Sequence, residues 1–91
     1  MTKSSYYVYI LKCSDDSLYT GITTDLAQRI ETHNKKLGAK YTRGRTPVTL
    51  VYYEQGHDKS SALKREIQIK KLSRKQKEKL IAEKDTYENK F

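Results

Sequence analysis

Ninety-one residues hold one domain, because folding at this size buries only roughly 60–65% of the surface an unfolded chain exposes and neither half could keep its own core. Nineteen Lys and Arg against eleven Asp and Glu give a net charge of +8, a balance that favours polyanions, nucleic acid first, although a merely solubilising charge would look the same. A single cysteine, Cys13, excludes an internal disulfide or a cysteine zinc cluster and reads as a small core or edge residue, and no apolar stretch has transmembrane length.

The first element is expected over Tyr6–Lys12, YYVYILK, an aromatic and β-branched strand. Ser14-Asp15-Asp16-Ser17 supplies short polar side chains for a turn. Leu18–Thr23, LYTGIT, returns as a second strand, antiparallel because the loop is too short for a crossover. Thr24 or Asp25 caps a helix to about Lys36, with Leu26, Ile30, His33 and Leu37 on one stripe and Arg29 on its shoulder. Gly38 is the expected stop. Lys35–Arg45 reads as a basic, glycine-punctuated segment without an acidic residue. Val48–Glu54 is the third strand, and a loop over Gln55–Lys59 leads to a helix over Ser60–Lys71. Ser73 with Gln76 forms a capping box for a last helix to about Glu83. The expected fold is α+β: a small three-stranded antiparallel sheet flanked by helices, in the order β-β-α-β-α-α, as a single domain over 1–83 with a polar, frayed tail over 84–91.

A few side chains sit oddly for a purely structural account. With Leu63 placed at the centre of the apolar arc of its helix, Glu66 falls about 60° away, inside that arc. A half-buried carboxylate needs a partner. Lys70, one turn on, could be that partner; equally, a lone carboxylate in a basic cleft can hold a magnesium ion beside a phosphate. Arg29 and His33 are one turn apart and could together clamp a phosphate, or be a solvated flank residue and a core histidine. Tyr7, Tyr9 and Leu11 share one strand face, as do Tyr19, Gly21 and Thr23. The tyrosines could simply pack, while Gly21 opens room for a ligand or a helix to approach.

Tyr7-Val8-Tyr9, then Tyr19-Thr20-Gly21, then Arg29, then a glutamate in a later helix, resembles the GIY-YIG nuclease superfamily. TGITTDLAQRIETHN and GAKYTRGR resemble its short stand-alone bacterial subfamily, and Arg29-x-x-x-His33-Asn34 is similar to the members that resolve branched DNA. The likeness runs from about Tyr6 to Leu80. It implies hydrolysis of phosphodiester bonds with one divalent ion, Mg²⁺ or Mn²⁺, held by Glu66. Arg29 would hold the nonbridging oxygens, Tyr9 or Tyr19 would orient or deprotonate the water, and His33 would be an auxiliary base or phosphate contact. Two departures stand out. Ile22 occupies a position where many members carry lysine, and the only asparagine after Glu66 is Asn89.

The implied function is an endonuclease of low sequence specificity or selective for DNA structure, cytoplasmic, in repair or recombination. Single-stranded or branched DNA is the expected substrate, with RNA as a second candidate. Lys35, Lys36, Lys40, Arg43, Arg45 and Lys70 are the expected phosphate contacts. The competing readings are a binding module that has lost catalysis and an adaptor whose basic face meets an acidic protein.

Overall fold

In the computed structural model, which describes residues 5–88, β1 (Tyr6–Lys12) is the central strand of a three-stranded sheet. It pairs antiparallel with β2 (Leu18–Thr23) on one side and β3 (Thr49–His57) on the other. The β1–β2 turn closes as its short polar residues predict. Asp16 takes a positive φ of 73°, a conformation that aspartate tolerates better than most, and the Asp15 carboxylate accepts from the Ser17 N–H at 3.1 Å.

The third strand runs three residues beyond the expected Glu54, to His57. Gly56, at a φ of +84°, sits in it where a turn was expected. The β1–β3 ladder shifts register between Tyr6 and Val8, and such an irregularity takes up a residue in that conformation without ending the pairing.

α1 (Leu26–Asn34) starts at Asp25, whose carboxylate accepts from the Gln28 N–H at 3.0 Å. It ends earlier than Gly38. The N–H of Lys36 bonds to the His33 carbonyl and that of Leu37 to the Thr32 carbonyl, while Lys36 takes a φ of +65°. That is a Schellman ending with lysine where glycine is usual. Leu37 therefore leaves the stripe it was assigned and is 72% exposed. The basic segment that follows contains a single helical turn, α2 (Lys40–Arg43), where an irregular loop was expected.

α3 (Lys59–Lys70) is capped by Asp58. Its buried line is Ala62 and Ile69, whereas Leu63 and Ile67 are exposed, so the inward arc is turned about 110° from the one centred on Leu63. Arg65 and Glu66 flank this line on either side at about 50°. α4 (Arg74–Glu88) opens with the expected capping box, Ser73 Oγ accepting from the Gln76 N–H and Gln76 Oε1 from the Ser73 N–H. It continues past Glu83, since nothing in KDTYE breaks a helix.

The sheet is covered on both faces. Val8, Ile10 and Tyr52 pack with Ala62 and Ile69 of α3 and with Leu80 and Ile81 of α4. Tyr9, Leu11, Cys13 and Val48 pack on the other face with Leu26 and Ile30 of α1. Burying each such aliphatic side chain stabilises by about 1.5–3 kcal/mol. Asn34 ties the end of α1 to the start of β3, accepting from the Val48 N–H at 2.7 Å and donating to its carbonyl at 3.3 Å. Among the described residues no helix is long and apolar enough to cross a membrane.

Candidate active site

Strand alternation and the β1–β2 register put Tyr9 opposite Gly21 and Leu11 opposite Tyr19. The Tyr9 ring lies across the glycine. A Cβ at position 21 would stand 2.6 Å from the Tyr9 hydroxyl oxygen and 3.2 Å from the Tyr19 ring, so only glycine lets the phenol lie there. Tyr19 packs edge-on against His33, with ring centroids 5.4 Å apart.

α1 delivers Arg29 and His33 to the same hydroxyl. Arg29 Nε donates to Tyr9 Oη at 3.4 Å, and His33 Nε2 lies 3.2 Å from it. The far nitrogen of His33 fixes the direction of this last bond. Nδ1 is 2.7 Å from the Thr42 hydroxyl, and that hydroxyl's one hydrogen goes to the Ala39 carbonyl at 3.0 Å. Both contacts are satisfied together only when Thr42 accepts from His33. Nδ1 carries the proton, Nε2 is bare, and Tyr9 donates to it. The chain reads Arg29 to Tyr9 to His33 to Thr42 to Ala39, with Tyr9, His33 and Thr42 all buried.

Burial pushes the Tyr9 phenol above its usual pKa; the charges of Tyr19 and Glu66 add to this and Arg29 opposes it. Burial, and then the Arg29 charge, hold His33 below the usual histidine value. At neutral pH both groups are thus uncharged, a phenol beside an unprotonated imidazole nitrogen. Gly38 belongs to the same construction, because a Cβ there would run into the His33 ring. His33 is fully buried with both nitrogens engaged, so its ring offers no direct phosphate contact.

Glu66 comes from α3, its side chain 17% exposed, with Oε2 3.2 Å from Lys70 Nζ. The ion pair one turn along is therefore present, and Glu66 is also close enough for its charge to act on Tyr9. Among the described residues no three or more His, Cys, Asp or Glu gather as a metal cage. One carboxylate near Tyr9 fits a hydrated, oxygen-liking ion such as Mg²⁺ or Mn²⁺, which keeps several waters and takes oxygens from a phosphate; it does not fit structural zinc.

Ile22 faces away from Tyr9, packed in the cluster under α3 and α4, and the cation on the Tyr9 hydroxyl is Arg29. Asn89 lies outside the described residues. Of the expected phosphate contacts, Lys36, Lys40 and Arg43 are exposed, and Lys35 makes a loose pair with Glu31 at 3.8 Å. Arg45 is committed elsewhere. It donates to Asp15 at 2.9 Å and to the Tyr41 carbonyl at 2.7 Å, and its guanidinium lies 4.1 Å over the Tyr41 ring.

Thr42 and Gly38 were missed from sequence. A threonine in a basic segment gives no periodic signal, and its partner His33 meets it only once α1 and α2 pack. A second polar cluster also went unseen. Glu54 of β3 accepts from Tyr52, from His57 at 2.9 Å and from Arg65 of α3 at 2.8 Å. Burial works against the charged carboxylate here, but those hydrogen bonds and the Arg65 charge outweigh it and hold Glu54 below the usual carboxylate value. Tyr52, buried and beside that charge, is pushed up to about 12. Through Arg65 the cluster ties α3 to β3, on the other flank of the helix from Glu66.

A hairpin presenting two tyrosines over a glycine, an arginine helix and a later helical glutamate define a class of catalytic domain. The family model described as the GIY-YIG catalytic domain matches residues 5–79. The chain belongs to the GIY-YIG family. Its relatives there carry the name UPF0213: one from Clostridium perfringens is 56% identical over 93% of this chain and 91% of its own, and one from Natronomonas pharaonis is 52% identical over 88% of this chain and 94% of its own. The solution structure of a UPF0213 protein from Bacillus halodurans aligns with a TM-score of 0.56 at 49% identity, over 86% of this chain and 83% of that one. A solution structure of an E. faecalis protein aligns with a TM-score of 0.62 at 41% identity, over 93% of this chain and 91% of that one.

Proposed function

We propose that this protein is a metal-dependent endonuclease that hydrolyses phosphodiester bonds in DNA, selective for structure or of low sequence specificity, acting in the cytoplasm in repair or recombination. The observation that carries the reading is the directed chain from Arg29 through Tyr9 to His33, with Glu66 beside it. A buried phenol needs one hydrogen-bond partner; Tyr9 has an imidazole nitrogen and, in addition, the guanidinium of Arg29 on its oxygen.

The phosphate would lie against Arg29, whose charge stabilises the nonbridging oxygens as they gain negative charge. Glu66 would hold the Mg²⁺ or Mn²⁺, and that ion, when bound, neutralises the phosphate and the leaving oxygen. A water attacks phosphorus in line. Its proton passes to Tyr9 Oη as the phenolic proton moves to His33 Nε2, so no free phenolate has to exist at neutral pH. The P–O bond opposite the water breaks, and the leaving oxygen takes a proton from solvent. Lys36, Lys40 and Arg43 track the flanking phosphates, making binding fall steeply with salt. Tyr19, with no hydrogen bond on its hydroxyl among the described residues, lines the approach.

The test is cleavage of single-stranded, duplex, flapped and branched DNA and of RNA, in Mg²⁺, Mn²⁺ or EDTA. Metal-dependent cutting should fall by about 10²–10³ or more in Arg29→Ala and vanish in Glu66→Ala. Salt-sensitive binding without cutting in any metal would instead indicate a binding module that has lost catalysis. No salt-sensitive binding at all would leave an adaptor for an acidic protein.

A further inference from the structure

β2 is an outer strand of the sheet, and beyond it lies a cleft of about 290 Å³ lined by Leu18, Tyr19, Thr20, Tyr41, Lys70 and Lys77. It shares Tyr19 and Lys70 with the site described above, and Tyr9 is not among its lining residues. From this cleft we infer a binding subsite for one unpaired nucleotide of DNA, the neighbour of the scissile phosphate. The inference rests on the nuclease reading for the position of that phosphate and on the cleft itself for the rest.

Its wall is aromatic. Tyr19 and Tyr41 stack with centroids 5.9 Å apart at 22°. Rings in face contact are separated by only about 3.5–4.0 Å, so these two are strongly offset and neither ring is fully covered by the other. Tyr41 is 40% exposed, yet it is not free to swing. Arg45 covers it and is itself pinned by Asp15. A stacking surface held this firmly loses little conformational freedom when a base settles on it.

The rim is cationic. Lys77 has no acidic partner among the described residues, and Lys70 is shared with Glu66; both can meet a phosphate beside the stacked base. Thr20 forms part of the floor. Its hydroxyl is buried and is the one buried side-chain polar atom without a hydrogen bond among the described residues. Buried groups of this kind normally have a partner, and a base edge in the cleft would supply one. Aromatic wall, cationic rim and idle hydroxyl together match a nucleotide. A paired base, stacked within its duplex, could not enter, so the cleft selects DNA with an unpaired residue at the cut.

Binding is read in EDTA, where nothing is cut. Titration with oligothymidylate should shift the amide resonances of Leu18, Thr20, Tyr41 and Lys77. Tyr41→Ala should weaken oligothymidylate binding about 5- to 100-fold, the range for losing one base–aromatic stack, and Tyr41→Phe should retain most of it. Lys77→Gln should weaken it more than the charge-matched control Lys59→Gln, outside the cleft. Unshifted cleft amides, or Tyr41→Ala and Lys77→Gln no weaker than Lys59→Gln, would overturn the subsite even if the protein cuts DNA. Cleft shifts in a protein that cuts nothing would uphold the subsite and remove the nuclease reading.

Discussion

His33 is the residue whose behaviour is most constrained by its neighbours. Its neutral form is the native one, with a pKa held below the ordinary histidine value of about 6.5. Because the unfolded chain binds the proton more readily, stability is full above pH ~6.5 and falls as the pH drops from there towards the lower folded value. Cleavage should show an acid limb in the same window, since a protonated Nε2 cannot take the Tyr9 proton, and His33→Gln should remove that limb together with most of the rate. Thr42→Val should cost about 1–3 kcal/mol, because a buried ring N–H loses its acceptor. It should also shift the ¹⁵N resonances of His33 towards the other tautomer, and Thr42→Ser should restore them. A Thr42→Val protein whose His33 resonances stay put would contradict the directed chain. Of this site, the sequence exposed Glu66 as an anomaly on its helix and, through the resemblance, Arg29 and the tyrosines. Thr42 was invisible, because a threonine's value as an acceptor depends on a partner nine residues away brought close by packing.

At the level of elements, the strands and the N-caps of α1 and α4 were readable and the helix faces less so. Period-two alternation placed Tyr9 and Gly21 correctly because a strand register admits few alternatives. α3 was harder: Leu63 and Ile67 attracted the apolar arc although Ala62 and Ile69 are buried, since a small alanine carries little hydrophobic signal yet lets the helix approach the sheet. Glu66 is half-buried either way, as it flanks both arcs. The end of α1 was misplaced because glycine was the expected C-terminal residue and Lys36 adopts the left-handed conformation instead. That leaves an improvement open. Lys36→Gly should stabilise the protein by about 1 kcal/mol, seen as a higher denaturant midpoint with an unchanged slope. No gain would mean the Schellman ending is not formed. The Glu54 cluster makes a second prediction. Its depressed carboxylate contributes stability above the ordinary carboxylate pKa, and that contribution is lost as the pH falls through the lower folded value. Acid unfolding monitored by circular dichroism should therefore move to higher pH in Arg65→Ala; an unmoved transition would remove the cluster from the account of how α3 is held.

Over the whole molecule, a basic chain, a thin sheet covered on both faces and a half-buried carboxylate on α3 support the proposed phosphate chemistry. Net charge alone could not separate a nuclease from a binding module or an adaptor. The directed hydrogen bonds around Tyr9 are what favour chemistry over grip, and the likeness to UPF0213 relatives covers the fold that holds them. The most direct test is a single-turnover cleavage assay on branched DNA carrying an unpaired strand, with Mg²⁺ or Mn²⁺, comparing the protein with Glu66→Ala and Tyr9→Phe at matched occupancy. The account predicts cutting that EDTA stops, that Glu66→Ala abolishes and that Tyr9→Phe slows by at least about 10², with binding retained in both variants. Equal cutting by the protein and by Tyr9→Phe, or none by any of them in either metal, would contradict it.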